Sequence, residues 1–173
     1  MVGLLCSHQS TTDKGVYFMD LNLTACFRVY EKTFNNIATA LKINNSDNTY
    51  LCAPLTFRTL VIFKLNLILF EYRESLDKKR EALIGRNALT HYLFNKKGIT
   101  FTEAKNISLN DAIIILWNEI NAYKIPDNVI NHIINLSDNY HHTNNDISKF
   151  KKDYPSYIEE EWDPNYADEE LRK

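Results

Sequence analysis

Glycine and proline are scarce, at four residues each in 173. A turn-rich β fold needs more of both, so their shortage favours helices. Cysteine is scarce as well. Cys6, Cys26 and Cys52 are odd in number, scattered and in no metal-ligand spacing, and each sits in apolar sequence. That pattern reads as reduced, buried thiols of a cytosolic protein. Long hydrophobic runs are missing too. The most apolar stretch, "TLVIFKLNLILF", is twelve residues and carries Lys64 and Asn66, which suits a buried helix and not a membrane span. The start, "MVGLLCSHQS", has neither the basic region nor the apolar run of a signal peptide, so a soluble cytoplasmic protein is expected. A Gly-rich phosphate loop, His-Glu-x-x-His and Cys-x-x-Cys are all absent, and no cofactor or metal is expected.

What is present is a globular composition, 45% hydrophobic and 12% aromatic, with twenty asparagines. At this length one domain with one substantial core is expected. The net charge of −2 is unevenly spread. From Asp153 to Lys173, eight carboxylates face Arg172 and Lys173, a balance of −6; residues 1–152 hold 18 basic and 14 acidic side chains, a balance of +4. The division expected is therefore a helical domain over 1–152 and an acidic, aromatic tail over 153–173, packed on the domain or extending from it.

Periodicity fills in the domain. Leu21, Leu23, Phe27, Tyr30, Phe34, Ile37, Ala38 and Leu41 predict an amphipathic helix of about twenty residues. Residues 56–74 predict a second, apolar nearly all round and so central. Ser75 is placed to cap a third over 76–96, closed by Gly98. Thr100 with Glu103, and Ser108 with Asp111, have capping-box spacing for a short turn and for the helix "LNDAIIILWNEINAY". Pro126 suits the first turn of "PDNVINHIINL". The fold class predicted is all-α: a single-domain bundle of five or six helices with an extended acidic C-terminal tail.

Few groups carry chemistry. His141 and His142 with Asp138 and Asp146 sit in an Asn-rich loop, and read better as solvated than as metal ligands. His132 reads as a partly buried structural residue. Lys78, Lys79 and Arg80 lie in "ESLDKKRE", whose alternating sign suits a solvated helix face. Basic residues interleaved with aromatics are too few for a nucleic-acid groove. "GRNALTHYLF" stands out, because Arg86, Asn87 and His91 have the R-N-x-x-x-H spacing of the HEPN ribonucleases. That resemblance implies metal-independent RNA cleavage across a dimer: His91 in proton transfer, Arg86 on the scissile phosphate and Asn87 orienting it. Against it, a helix surface bearing Arg, Asn and His is usually only solvated.

The tail is the other informative segment. "YPSYIEEEWDPNYADEE" mixes Tyr154, Tyr157, Trp162 and Tyr166 with carboxylates, whereas disordered acidic tails are poor in aromatics. One reading is an ordered wrap, rings inward and charges outward. The other is a recognition surface of Glu159, Glu160, Glu161, Trp162, Asp163, Tyr166, Glu169 and Glu170, its carboxylates presenting a phosphate-like pattern to a basic groove. "ALTHYLFNKKGITFTEAKNISLNDAIIILWNEIN" and "EEEWDPNYADEE" also resemble a family of small enterobacterial prophage proteins of unknown function. By analogy with proteins of that size and origin, the expected function is non-enzymatic: an immunity or inhibitor protein that binds a basic nuclease toxin. The ribonuclease built on Arg86, Asn87 and His91 is the alternative.

Overall fold

The computed structural model of the chain describes residues 21–43, 52–136 and 155–173. Among these residues all regular structure is helical: α1 Leu23–Ala40, α2 Cys52–Leu76, α3 Arg86–Lys97, α4 Phe101–Asn106, α5 Leu109–Ile115, α6 Trp117–Ala122, α7 Asp127–Leu136 and α8 Pro164–Leu171, with a 3-10 turn over Glu159–Glu161. Cys6, Tyr154 and the loop holding Asp138, His141, His142 and Asp146 lie outside the described residues.

Helix α1 starts at Asn22, whose side chain accepts the Ala25 N–H. It stops in a Schellman turn: Ile43 N–H returns to Ala38 O and Lys42 N–H to Thr39 O, with Lys42 at φ +55. Helix α2 is central because two faces of it are apolar. Ile62, Leu65, Leu69 and Tyr72 join one cluster with Phe34 and Ile37 of α1, Leu89 and Leu93 of α3, Leu109 and Ile113 of α5, and Trp162. Phe63, Leu67 and Phe70 join a second with Cys26, Val29 and Tyr30 of α1, Val129 and Ile133 of α7, and Ala167 and Leu171 of α8. The segment 155–173 thus contributes to both clusters.

The predicted capping box of α4 is formed, with Thr100 accepting from Glu103 and Glu103 reaching back. Ser108 caps α5 as expected, and the carbonyl of Pro126 accepts the first α7 amides, from Val129 and Ile130. Among the described residues eight helices stand where five or six were expected, for two reasons. "LNDAIIILWNEINAY" divides at Leu116, which leaves helical geometry at φ −95, ψ 10, and the tail adds α8.

The larger correction falls on 76–96. Helix α2 runs on to Leu76, and Ser75 donates to Tyr72 O instead of capping a new helix. Residues 77–85 form a loop built around Asp77. Its carboxylate accepts the N–H groups of Glu81, Ala82 and Leu83 at 2.9, 2.9 and 2.7 Å. Those three bonds hold the carboxyl at a pKa of about 2. Arg80 adopts φ +62 and Gly85 φ +52. So Lys78–Arg80 is not a helix face, and Arg80 points inward and is buried. Periodicity missed the loop because an aspartate serving three amides outweighs propensity locally.

Candidate functional site

Three arginines organise the region where the tail meets the body. Arg58 projects from α2 and makes a bidentate pair with Glu161, at 2.6 and 2.5 Å. The same guanidinium donates to Pro155 O and Ser156 O at 3.0 and 3.1 Å, and lies 4.0 Å from the centre of the Tyr157 ring. Arg73, farther along α2, donates to Leu83 O and Gly85 O, both at 2.9 Å, and reaches Asp168 at 3.3 Å. Burial lowers its pKa to about 10, opposed by Asp168, so it stays charged at neutral pH. Arg80 completes the set with Asp168 and Glu74, each at 2.8 Å. All three arginines are buried, as are Glu161 and Asp168. Buried charges are stable only when paired, and here each cation receives a tail carboxylate, while Arg80 Nη2 meets Glu74 as an ion pair without a hydrogen bond.

The recognition surface expected from the tail is therefore largely spent on holding the tail. Glu161 is 0% exposed and Trp162 6%, its indole N–H donating to Asn66 at 2.8 Å. Glu170 is buried between Arg28 and Lys173. Asp163 caps α8 by accepting Tyr166 N–H, and the Tyr166 ring packs against the second cluster. Glu159 is exposed but pairs with Arg86, and it accepts Leu109 N–H at 2.7 Å. Glu160 and Glu169 are exposed, and neither has an ion pair among the described residues.

Arg86, Asn87 and His91 all fall on α3, but they separate. Five residues turn a helix through about 140°, so the two outer side chains leave on different sides. Arg86, at the first position of the helix, turns to the tail: Glu159, Ile107 O at 2.5 Å and the Trp162 ring at 5.6 Å. Asn87 donates to Ala82 O at 3.2 Å. His91 Nδ1 shares a 2.8 Å hydrogen bond with the Tyr72 hydroxyl, which also accepts from Asn95. The groups brought together are thus Arg86 and Glu159, one from each candidate set, in a structural pair.

Some exposed groups had no signal in the sequence. Ile114 is 64% exposed and Trp117 41%, although both lie in an apolar pattern that reads as core, and Ile158 is 40% exposed. Phe94 and Phe101 are exposed with their rings 6.2 Å apart. The arginines did leave a partial signal, since Arg58 and Arg73 stand among the polar residues that interrupt a largely apolar helix. Among the described residues no three His, Cys, Asp or Glu side chains are grouped to hold a metal ion. Nor is any helix among them long and apolar enough to cross a membrane. No family model, curated protein or solved structure matches the chain.

Proposed function

We propose that the chain is a non-enzymatic binding protein of the immunity type, which neutralises a nuclease toxin by covering its basic active-site surface. The observation that carries this reading is the division of polar and apolar groups. Arg86 and His91, which a metal-independent ribonuclease would need at one phosphate, are held by separate structural partners. An apolar strip beside carboxylates faces outward instead.

The strip follows from register. Asn110, Ile114 and Trp117 recur at three- and four-residue spacing along α5 and α6, where Leu116 N–H to Ala112 O and Ile120 N–H to Leu116 O continue the helical bonding across the break. Asn110 accepts Tyr157 N–H at 3.2 Å, which seats 157–160 next to the strip. Ile158 adds apolar surface, and Glu160 adds negative charge beside the Glu159–Arg86 pair. An apolar centre with an aromatic anchor and a charged rim is how protein interfaces are built, and the sign of this rim selects a basic partner.

The test is an inhibition assay. Purified chain is titrated into a panel of basic nuclease domains, and cleavage of DNA and RNA is followed at low and high salt. Stoichiometric inhibition of a nuclease that weakens as salt rises is expected, with Trp117→Ala reducing affinity by about 30-fold or more. Failure to inhibit any nuclease counts against the reading. Cleavage of tRNA in EDTA by the chain alone, lost in both Arg86→Ala and His91→Ala, replaces it with the ribonuclease.

A further inference from the structure

One groove shares no residue with the Trp117 strip or with α3. It has a volume of about 760 Å³ and lies where the starts of α1 and α7, the end of α8 and the second half of α2 meet. That volume is within the range of small-molecule sites, about 300–1,000 Å³.

Its chemistry is divided. The inner part is apolar: Phe70 and Leu171 are nearly fully buried, and Leu23 packs beside them. The rim is cationic, with Lys78, Arg172 and Lys173 all exposed. Neither Lys78 nor Arg172 has an ion pair among the described residues, and Lys173 shares Glu170 with Arg28. The one acidic side chain lining the groove, Glu74, is drawn to the buried Arg80 at 2.8 Å. Three cations thus border an apolar floor, and among the described residues no lining carboxylate pairs with Lys78 or Arg172.

The walls are fixed in place. Lys78 stands on the loop that Asp77 ties down through three amides. Arg172 and Lys173 follow α8, which Asp168 anchors to Arg73 and Arg80. Asn128, in the first turn of α7, and Asn22 add side-chain amides to the lining. Amides offer donors and acceptors to a heterocycle edge that a hydrocarbon chain would leave unused. The positive ends of α1 and α7 and the negative end of α8 meet at this groove, so the cationic side chains and not the helix dipoles set its field.

We propose that this groove binds a nucleotide, its base on the Phe70–Leu171 floor and its phosphate between Lys78 and the Arg172–Lys173 pair. An aromatic and aliphatic floor suits the base, and a cluster of basic side chains suits the doubly charged phosphate.

The experiment uses the whole chain, with inorganic phosphate, AMP and ATP as probes, read by titration calorimetry and thermal unfolding. A nucleotide Kd of about 100 µM or tighter is expected. At about 5 mM ligand, Tm should rise by several degrees, roughly 4–10 °C. Lys78→Glu and Arg172→Glu are exposed changes that leave the unliganded Tm in place, and each is expected to weaken nucleotide binding about tenfold or more. Three results overturn the proposal: no binding by any probe, binding that survives both charge reversals, or inorganic phosphate binding as tightly as AMP and ATP.

Discussion

Removing the carboxylate of Glu161 is the sharpest perturbation the fold offers. In Glu161→Ala the Arg58 guanidinium stays buried and loses both bonds of a bidentate pair, 2.6 and 2.5 Å long. Its other partners are the carbonyls of Pro155 and Ser156 and the Tyr157 ring, none of which carries charge. Breaking a buried pair from one side costs about 3–5 kcal/mol, because the partner left behind is uncompensated. A domain of this size has only about 5–15 kcal/mol of stability. At about 2–4 °C per kcal/mol the fall in Tm is about 6–20 °C. Glu161→Gln keeps an acceptor and should cost less, about 1–3 kcal/mol. Replacing both members, Arg58→Met with Glu161→Leu, should recover much of the loss, since no orphan charge remains. Urea unfolding followed by circular dichroism and by tryptophan fluorescence in a Trp117→Phe background reads these effects, as Trp162 is then the sole indole. Two results refute the reasoning: Glu161→Ala within about 0.5 kcal/mol of wild type, or a double variant no more stable than Glu161→Ala alone.

Other perturbations follow from single residues. Gly85 sits at φ +52, and an added Cβ would lie 2.0 Å from Asn165 Oδ1. Because that oxygen ends a side chain it can move, whereas the backbone conformation cannot relax, so Gly85→Ala should cost about 1–3 kcal/mol in urea unfolding and Asn165→Ala should not restore it. Asp77 has a folded pKa depressed to about 2 by three backbone amides, so its contribution is complete above the unfolded value near 4 and is lost as pH falls toward 2. The stability gap between wild type and Asp77→Asn, measured across that window, should therefore shrink with acid; a constant gap removes the amide account. Burial pushes the Cys26 thiol up to about 12, so alkylation at pH 8, mapped by peptide mass, should mark Cys26 only after unfolding.

Much of the all-helical architecture was legible because it is written in local rules. The Thr100–Glu103 box and the Ser108 cap are each set by residues three apart, and α1 by a repeat every three to four. The centrality of α2 was legible from an apolar girdle with no polar face. What escaped was non-local. Asp77 ends a helix that propensity would continue, by serving amides up to six residues ahead. Arg58 and Glu161 are 103 residues apart, and charge counting reads two such partners as separate features of opposite sign. Arg86 and His91 have the spacing of a site, but spacing along a helix does not say which way each side chain leaves it. The contrast between a −6 tail and a +4 body was correct as arithmetic. It did not show that two of the eight tail carboxylates, Glu161 and Asp168, are taken up by the buried arginines of the body.

The pairing of early arginines with late carboxylates also bears on how the chain matures. When Arg58, Arg73 and Arg80 emerge from the ribosome, Glu161 and Asp168 are still untranslated. A body assembled at that stage would enclose three guanidinium groups without their tail counter-ions, and desolvation opposes that step. Emergence of the 155–173 segment is therefore the event that permits closure, and the core completes only once that segment has followed the body out.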